Sequence, residues 1–143
     1  MTKAWEQVLR ENRQSLLERW FAGAASLLSG GGSSPVAEAL AAELGRLLDA
    51  LAHGSSVDEP LVHLTRILAV QQLPPSRALS LLLGLMPVCD GLTSDEGNRF
   101  RDRLDELLLQ AFDCYMKHRE TICQLKLDEG RRQMHMALRR AEA

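Results

Sequence analysis

The stretch TSDEGNRFRDRLDELLLQAFDCYMKHRETICQLKL, residues 93–127, decides the fold. It opens on Thr93-Ser94-Asp95-Glu96, a capping box, in which a hydroxyl and a carboxylate serve the free N–H groups at a helix start. Leu104, Leu108, Ala111, Tyr115, His118, Ile122 and Leu125 follow in steps of four and three. That spacing predicts one heptad-like seam on a helix about three turns longer than average. After Leu127 the pattern fails, and Asp128, Glu129, Arg131, Arg132, Arg139 and Arg140 dominate. Residues 128–143 therefore read as a charged extension, either a solvated helix or a frayed tail.

Upstream, the same physics predicts four more helices. Trp5, Val8, Leu9, Leu16, Trp20, Ala24 and Leu27 make one buried stripe on a helix from Lys3 to Leu28. Ser29-Gly30-Gly31-Gly32-Ser33 stops it, because successive glycines make continued helix costly. No Lys-Ser/Thr follows that run and no strand precedes it, so it is not a phosphate-cradling loop. Ser34-Pro35 starts a second helix with stripe Val36, Leu40, Leu44, Leu47, Leu48 and Leu51, and Gly54 terminates it. A third starts near Asp58-Glu59-Pro60, shows Leu61, Leu64, Leu68 and Gln71 on one face, and stops before Pro74-Pro75. A fourth runs from about Pro75 to Cys89 and is apolar on nearly every side from Leu79 to Met86, with Pro87 weakening its last turn. No segment alternates with period two, so the expected class is all-α, helices packed on helices.

Composition bounds the function. The chain has 143 residues, 45% hydrophobic and 25% charged, enough for one domain with a true core. A formal net charge of -2 offers no field to hold a polyanion, which argues against nucleic acid. The longest uncharged apolar run, Ala78 to Val88, is too short to span a bilayer. The N-terminal Met1-Thr2-Lys3-Ala4-Trp5-Glu6-Gln7 is polar and amphipathic, unlike a signal peptide, which points to the cytoplasm.

Candidate chemistry is sparse. His53, His63, His118 and His135 lack a His or Glu at metal spacing on the same face, so no metal or other cofactor is expected. No serine sits on a nucleophile elbow, and no enzyme is expected. Cys89, Cys114 and Cys123 show no CxxC spacing; they read as reduced thiols, with a zinc site or a redox switch as alternatives. His118, on the seam between Tyr115 and Ile122, reads as a core or interface histidine, with a haem or metal ligand as the alternative. Replacing it by leucine is expected to change stability little.

Two stretches carry a family resemblance. Residues 64–78 contain Arg66, Ala69-Val70-Gln71, Pro75-Ser76 and Ala78, which resembles the R-x-x-AVQ-x-x-x-PS-x-A junction of RsbR-type N-terminal domains of the bacterial stressosome. Ala111-Phe112-Asp113, Tyr115 and Arg119-Glu120 are similar to the AFD-x-Y-x-x-x-RE segment late in the same domain. The resemblance spans about residues 3 to 130, so that 1–127 looks like an RsbR N-terminal domain. It implies a globin-like fold without haem, a dimer, and a last helix that leads into a STAS domain. No STAS domain follows before Ala143, so the family's kinase-regulating output is not expected from this chain.

The expectation is thus a haem-free, homodimeric signalling module that regulates an unknown protein partner. The alternative is a sensor that holds a small molecule or cofactor in a globin-like pocket. Leu79, Leu82, Leu83, Met86, Leu108, Tyr115 and Ile122 are the candidate dimer interface. Arg66, Gln71, Ser76, Asp113, Arg119 and Glu120 are a candidate structural polar motif, with an Arg66–Asp113 or Arg77–Asp113 contact at its centre.

Overall fold

Asn12 divides the first predicted helix in two. Its backbone leaves helical geometry (φ -111°, ψ 19°) while its side-chain amide donates 2.9 Å to the Val8 carbonyl. A side chain that competes for the backbone in this way ends a helix. The result is α1 (Trp5–Glu11) and α2 (Arg13–Ala25), with Trp5, Leu9, Trp20 and Ala24 buried. The computed structural model describes residues 3–28 and 30–142. Met1, Thr2, the Ser29 of the glycine run and the final Ala143 lie outside the described residues.

The next two helices follow their sequence signals closely. Ser34 caps α3 (Pro35–His53), its hydroxyl accepting from the Ala37 N–H at 3.1 Å, and Pro35 takes the first helical position. Gly54 closes the helix in the left-handed conformation at φ 67°, which lets the Ser55 N–H reach back to the Ala50 carbonyl at 2.9 Å. Leu40, Leu44, Leu47, Leu48 and Leu51 are buried, while Val36 is exposed. Then α4 (Asp58–Val70) buries Leu61, Leu64 and Leu68, and Gln72 at φ 58° turns the chain toward Pro74.

The fourth predicted helix is α-helical only over α5 (Pro75–Leu79). From Ser80 to Gly91 the chain winds as a 3-10 helix, far longer than the few residues usual for that form. Leu79, Leu82, Leu85 and Val88 are buried at a three-residue spacing that matches three residues per turn, with Leu81 buried beside them. The Trp20 indole N–H donates 2.7 Å to the Leu81 carbonyl and so draws this segment onto α2. Gly84 lies directly under the same ring, where a Cβ would stand 2.9 Å from Trp20 Cδ1. Pro87 has no N–H to give, which also weakens an α-helical ladder.

The last element, α6 (Ser94–Glu142), is a single helix of 49 residues, about 73 Å long. Thr93 Oγ1 accepts from the Glu96 N–H at 3.4 Å, so half of the capping box forms. The Glu96 carboxylate does not reach back; it accepts from the Trp5 N–H at 3.0 Å and so caps α1 instead. Phe100, Leu104, Leu107, Ala111 and Tyr115 are buried against the bundle. The inward face keeps Leu104, Ala111 and Tyr115 of the predicted seam, but buries Leu107 more deeply than Leu108 and fades after Ile122. Leu108, His118 and Ile122 are half-buried and Leu125 is exposed. Three adjacent leucines, 107 to 109, make the register ambiguous in sequence. The 128–142 extension is helical and exposed throughout. No strand occurs among the described residues, and the fold is all-α.

Gly84→Ala tests the packing of the 3-10 segment. The added methyl meets an indole ring held on its other side by the fold, so denaturant unfolding should show a loss of about 1–3 kcal/mol.

Candidate functional site

Arg119 is the residue of the predicted polar motif that the structure uses most directly. Its guanidinium donates 2.9 Å to the Ala69 carbonyl in the last turn of α4. The Ala69 carbonyl also accepts from the Gln72 N–H in the turn beyond α4, at 3.3 Å, and a cation is favoured at that helix end. One turn earlier on α6, the Tyr115 hydroxyl donates to the Leu73 carbonyl just beyond α4. His118 Nε2 is 3.0 Å from the Val62 carbonyl. The three α6 side chains thus close onto the backbone of α4 and of the turn that follows it. The Gln110 side-chain amide adds a fourth link, to Asp58 at the start of α4.

The remaining motif residues do not converge. Among the described residues no ion pair joins Arg66 or Arg77 to Asp113; Arg66, Asp113, Ser76 and Glu120 are exposed. Arg66 and Gln71 line a surface groove between α3 and α4, together with Val36, Ile67 and Val70. Ser76 lies in a different groove. Of the predicted interface residues, Leu79, Leu82 and Tyr115 are packed inside the chain's own core and leave a partner almost no surface. Leu83 is exposed, and Met86, Leu108 and Ile122 are half-buried.

Sequence reasoning passed over two features. One is Glu43, buried on α3 with one carboxylate oxygen against Arg46 and 3.6 Å from His63 Nδ1. Its other oxygen is buried without a hydrogen-bond partner, a costly state for a polar atom. A carboxylate three residues after Leu40 and one before Leu44, in the middle of an apolar stripe, was the available signal. The other is an open apolar groove of about 380 Å³ lined by Pro75, Leu79, Leu83, Leu108, Leu109 and Phe112. It could not be read from the sequence, because it depends on where the Pro75–Leu83 segment lies against the Leu108–Phe112 side of α6.

The thiols stand apart. Cys123 is exposed on α6, Cys89 Sγ lies 3.9 Å from the Gly97 carbonyl, and burial pushes the Cys114 thiol above its usual range. Among the described residues no group of three or more His, Cys, Asp or Glu side chains could hold a metal ion. No described helix is long and apolar enough to cross a membrane. Comparison of the chain with protein-family models, with curated proteins and with solved structures gave no match.

The clasp sets two expectations. Tyr115→Phe keeps the buried ring and removes one donor, so urea unfolding should register a loss of about 1 kcal/mol. His118→Leu should cost a similar amount, more than the negligible change expected from sequence, because it deletes the bond to Val62.

His118 also gives a pH dependence. Burial holds its pKa below the usual 6.5, the Val62 carbonyl raises it and Arg66 lowers it. The unfolded chain therefore takes up this proton first on acidification. The stability His118 contributes is complete above the unfolded value of 6.5 and is lost as pH falls through the folded one. Thermal midpoints measured between about pH 7.5 and 5 should fall less in His118→Gln than in the unmodified chain.

Proposed function

We propose that the chain is a non-enzymatic signalling module that acts as a cytoplasmic homodimer and presents its state to a protein partner. The observation that carries this reading is the end of α6. From Cys123 to Glu142 every residue of the helix is exposed, Leu125, Leu127, Met134, Met136 and Leu138 among them. A helix of about this length is marginal when alone in water, and Gly130 weakens it further. Such a projection suits a segment that is covered by another chain. The RsbR-type resemblance supports the same reading, since it implies a haem-free, globin-like, dimeric domain whose last helix leads toward its output.

A second reading, a sensor for a small molecule, draws on the apolar groove beside Leu83 and Phe112, whose volume suits a small ligand. An absorbance spectrum and a native mass spectrum of the purified protein separate the two. Sedimentation equilibrium at tens of micromolar tests the first directly. The expected mass is twice 15.9 kDa, and a single species of 15.9 kDa would refute the dimer.

A further inference from the structure

The outer side of α6 carries a second apolar stripe, distinct from the one that faces the core. Positions 109, 112, 116, 120, 123, 127, 130, 134, 138 and 141 fall within a sector of about 80° at 3.6 residues per turn. The buried Phe100, Leu104, Leu107, Ala111 and Tyr115 occupy a sector centred roughly 140° away. All but two of the outer positions are apolar, the exceptions being Glu120 and Gly130. Leu109, Phe112, Leu127, Met134 and Leu138 are 70%, 44%, 52%, 67% and 58% exposed. The stripe runs for about 48 Å, from the groove beside Leu83 out along the projecting helix.

The spacing of this stripe is the same read from either end. Its successive steps are 3, 4, 4, 3, 4, 3, 4, 4 and 3, symmetric about residue 125. A two-fold axis there would lay two copies antiparallel with every position facing an equivalent one. Phe112 would meet Leu138, Met116 would meet Met134, and Cys123 would meet Leu127. Glu120 would face Gly130, where the missing side chain leaves room, with Arg131 beside it for an ion pair. A parallel pairing would instead set Glu120 against Glu120 and Arg131 against Arg131. Within the overlap, residues 108–124 carry two carboxylates and two Lys or Arg, so the charge preference rests on Glu120 and Arg131. Like charges facing one another are unfavourable and opposite ones favourable.

We infer that the chain forms an antiparallel, two-fold dimer through the outer face of α6, in which the projecting end of each copy seats Met134 and Leu138 against the Leu83–Leu109–Phe112 groove of the other. The inference rests on the dimeric reading above and adds its geometry. It covers the groove and the unsupported helix with one interface, and a self-complementary patch of this kind closes at two copies.

Disulfide mapping tests the direction of pairing. Phe112→Cys and Leu138→Cys chains, both changed at exposed positions, are mixed in full length, oxidised and digested. A 112–138 bond between chains is the expected main product. A 138–138 bond formed by Leu138→Cys alone would mean parallel pairing; it would overturn this inference and leave the dimeric reading standing. Leu138→Glu lies clear of the body, so its far-UV circular dichroism should be close to that of the unmodified protein. Its self-association should weaken at least tenfold, and unchanged association would overturn the inference. A monomer in the unmodified protein, with or without a small apolar molecule bound, would overturn both.

Discussion

A helix that ends against its neighbours must find donors for its last carbonyls, and this chain supplies them with side chains from other helices. Arg119 reaches Ala69 at the end of α4, and Arg10 reaches Ala52 near the end of α3 at 2.6 Å. Each contact puts a cation at the negative end of a helix dipole and gives a donor to a carbonyl in the last turn. These bonds fix where α3 and α4 stop relative to α1 and α6. The burial of Leu47, Leu51, Leu64 and Leu68 follows from that placement. Arg13 adds a paired contact across α2 and α3, its guanidinium donating to both oxygens of Asp49 at 2.6 and 3.1 Å.

The 3-10 segment obeys a similar logic from the opposite direction. There the backbone supplies the acceptor and an aromatic side chain on α2 supplies the donor. Trp20 is nearly wholly buried, and its one polar atom finds the Leu81 carbonyl. The ring needs a neighbour without a side chain beneath it, which is the role of Gly84. The segment thus trades the regular geometry of an α-helix for one well-packed indole.

Much of the fold was legible in the sequence. Ser34-Pro35, Gly54, Pro74-Pro75 and Thr93 mark ends that the backbone respects, because each acts through a local preference that tertiary contacts seldom override. Asn12 was missed because its helix-ending bond uses a side chain that is equally common on helix surfaces. The 3-10 form was missed although Leu79, Leu82, Leu85 and Val88 repeat every third residue, since a leucine-rich run fits several periods. The candidate site was less legible. Arg119 was singled out, but its target is a backbone carbonyl, which has no signature of its own in sequence. Arg66 and Asp113 were paired on charge alone, and neighbours in charge are not neighbours in space.

The length of α6 beyond its clasp has a mechanical consequence. Tyr115, His118 and Arg119 grip the helix near the point where it leaves the bundle, and about 30 Å of it extends past that grip. The inner stretch of the helix is packed into the bundle while the outer stretch is exposed, so a tilt at the clasp shows most at the far end. A tilt of about 10° at the clasp, the size of a modest helix repacking, sweeps the far end through roughly 5 Å. A small shift at the last turn of α4 would thus be read as a larger displacement at the exposed end of α6.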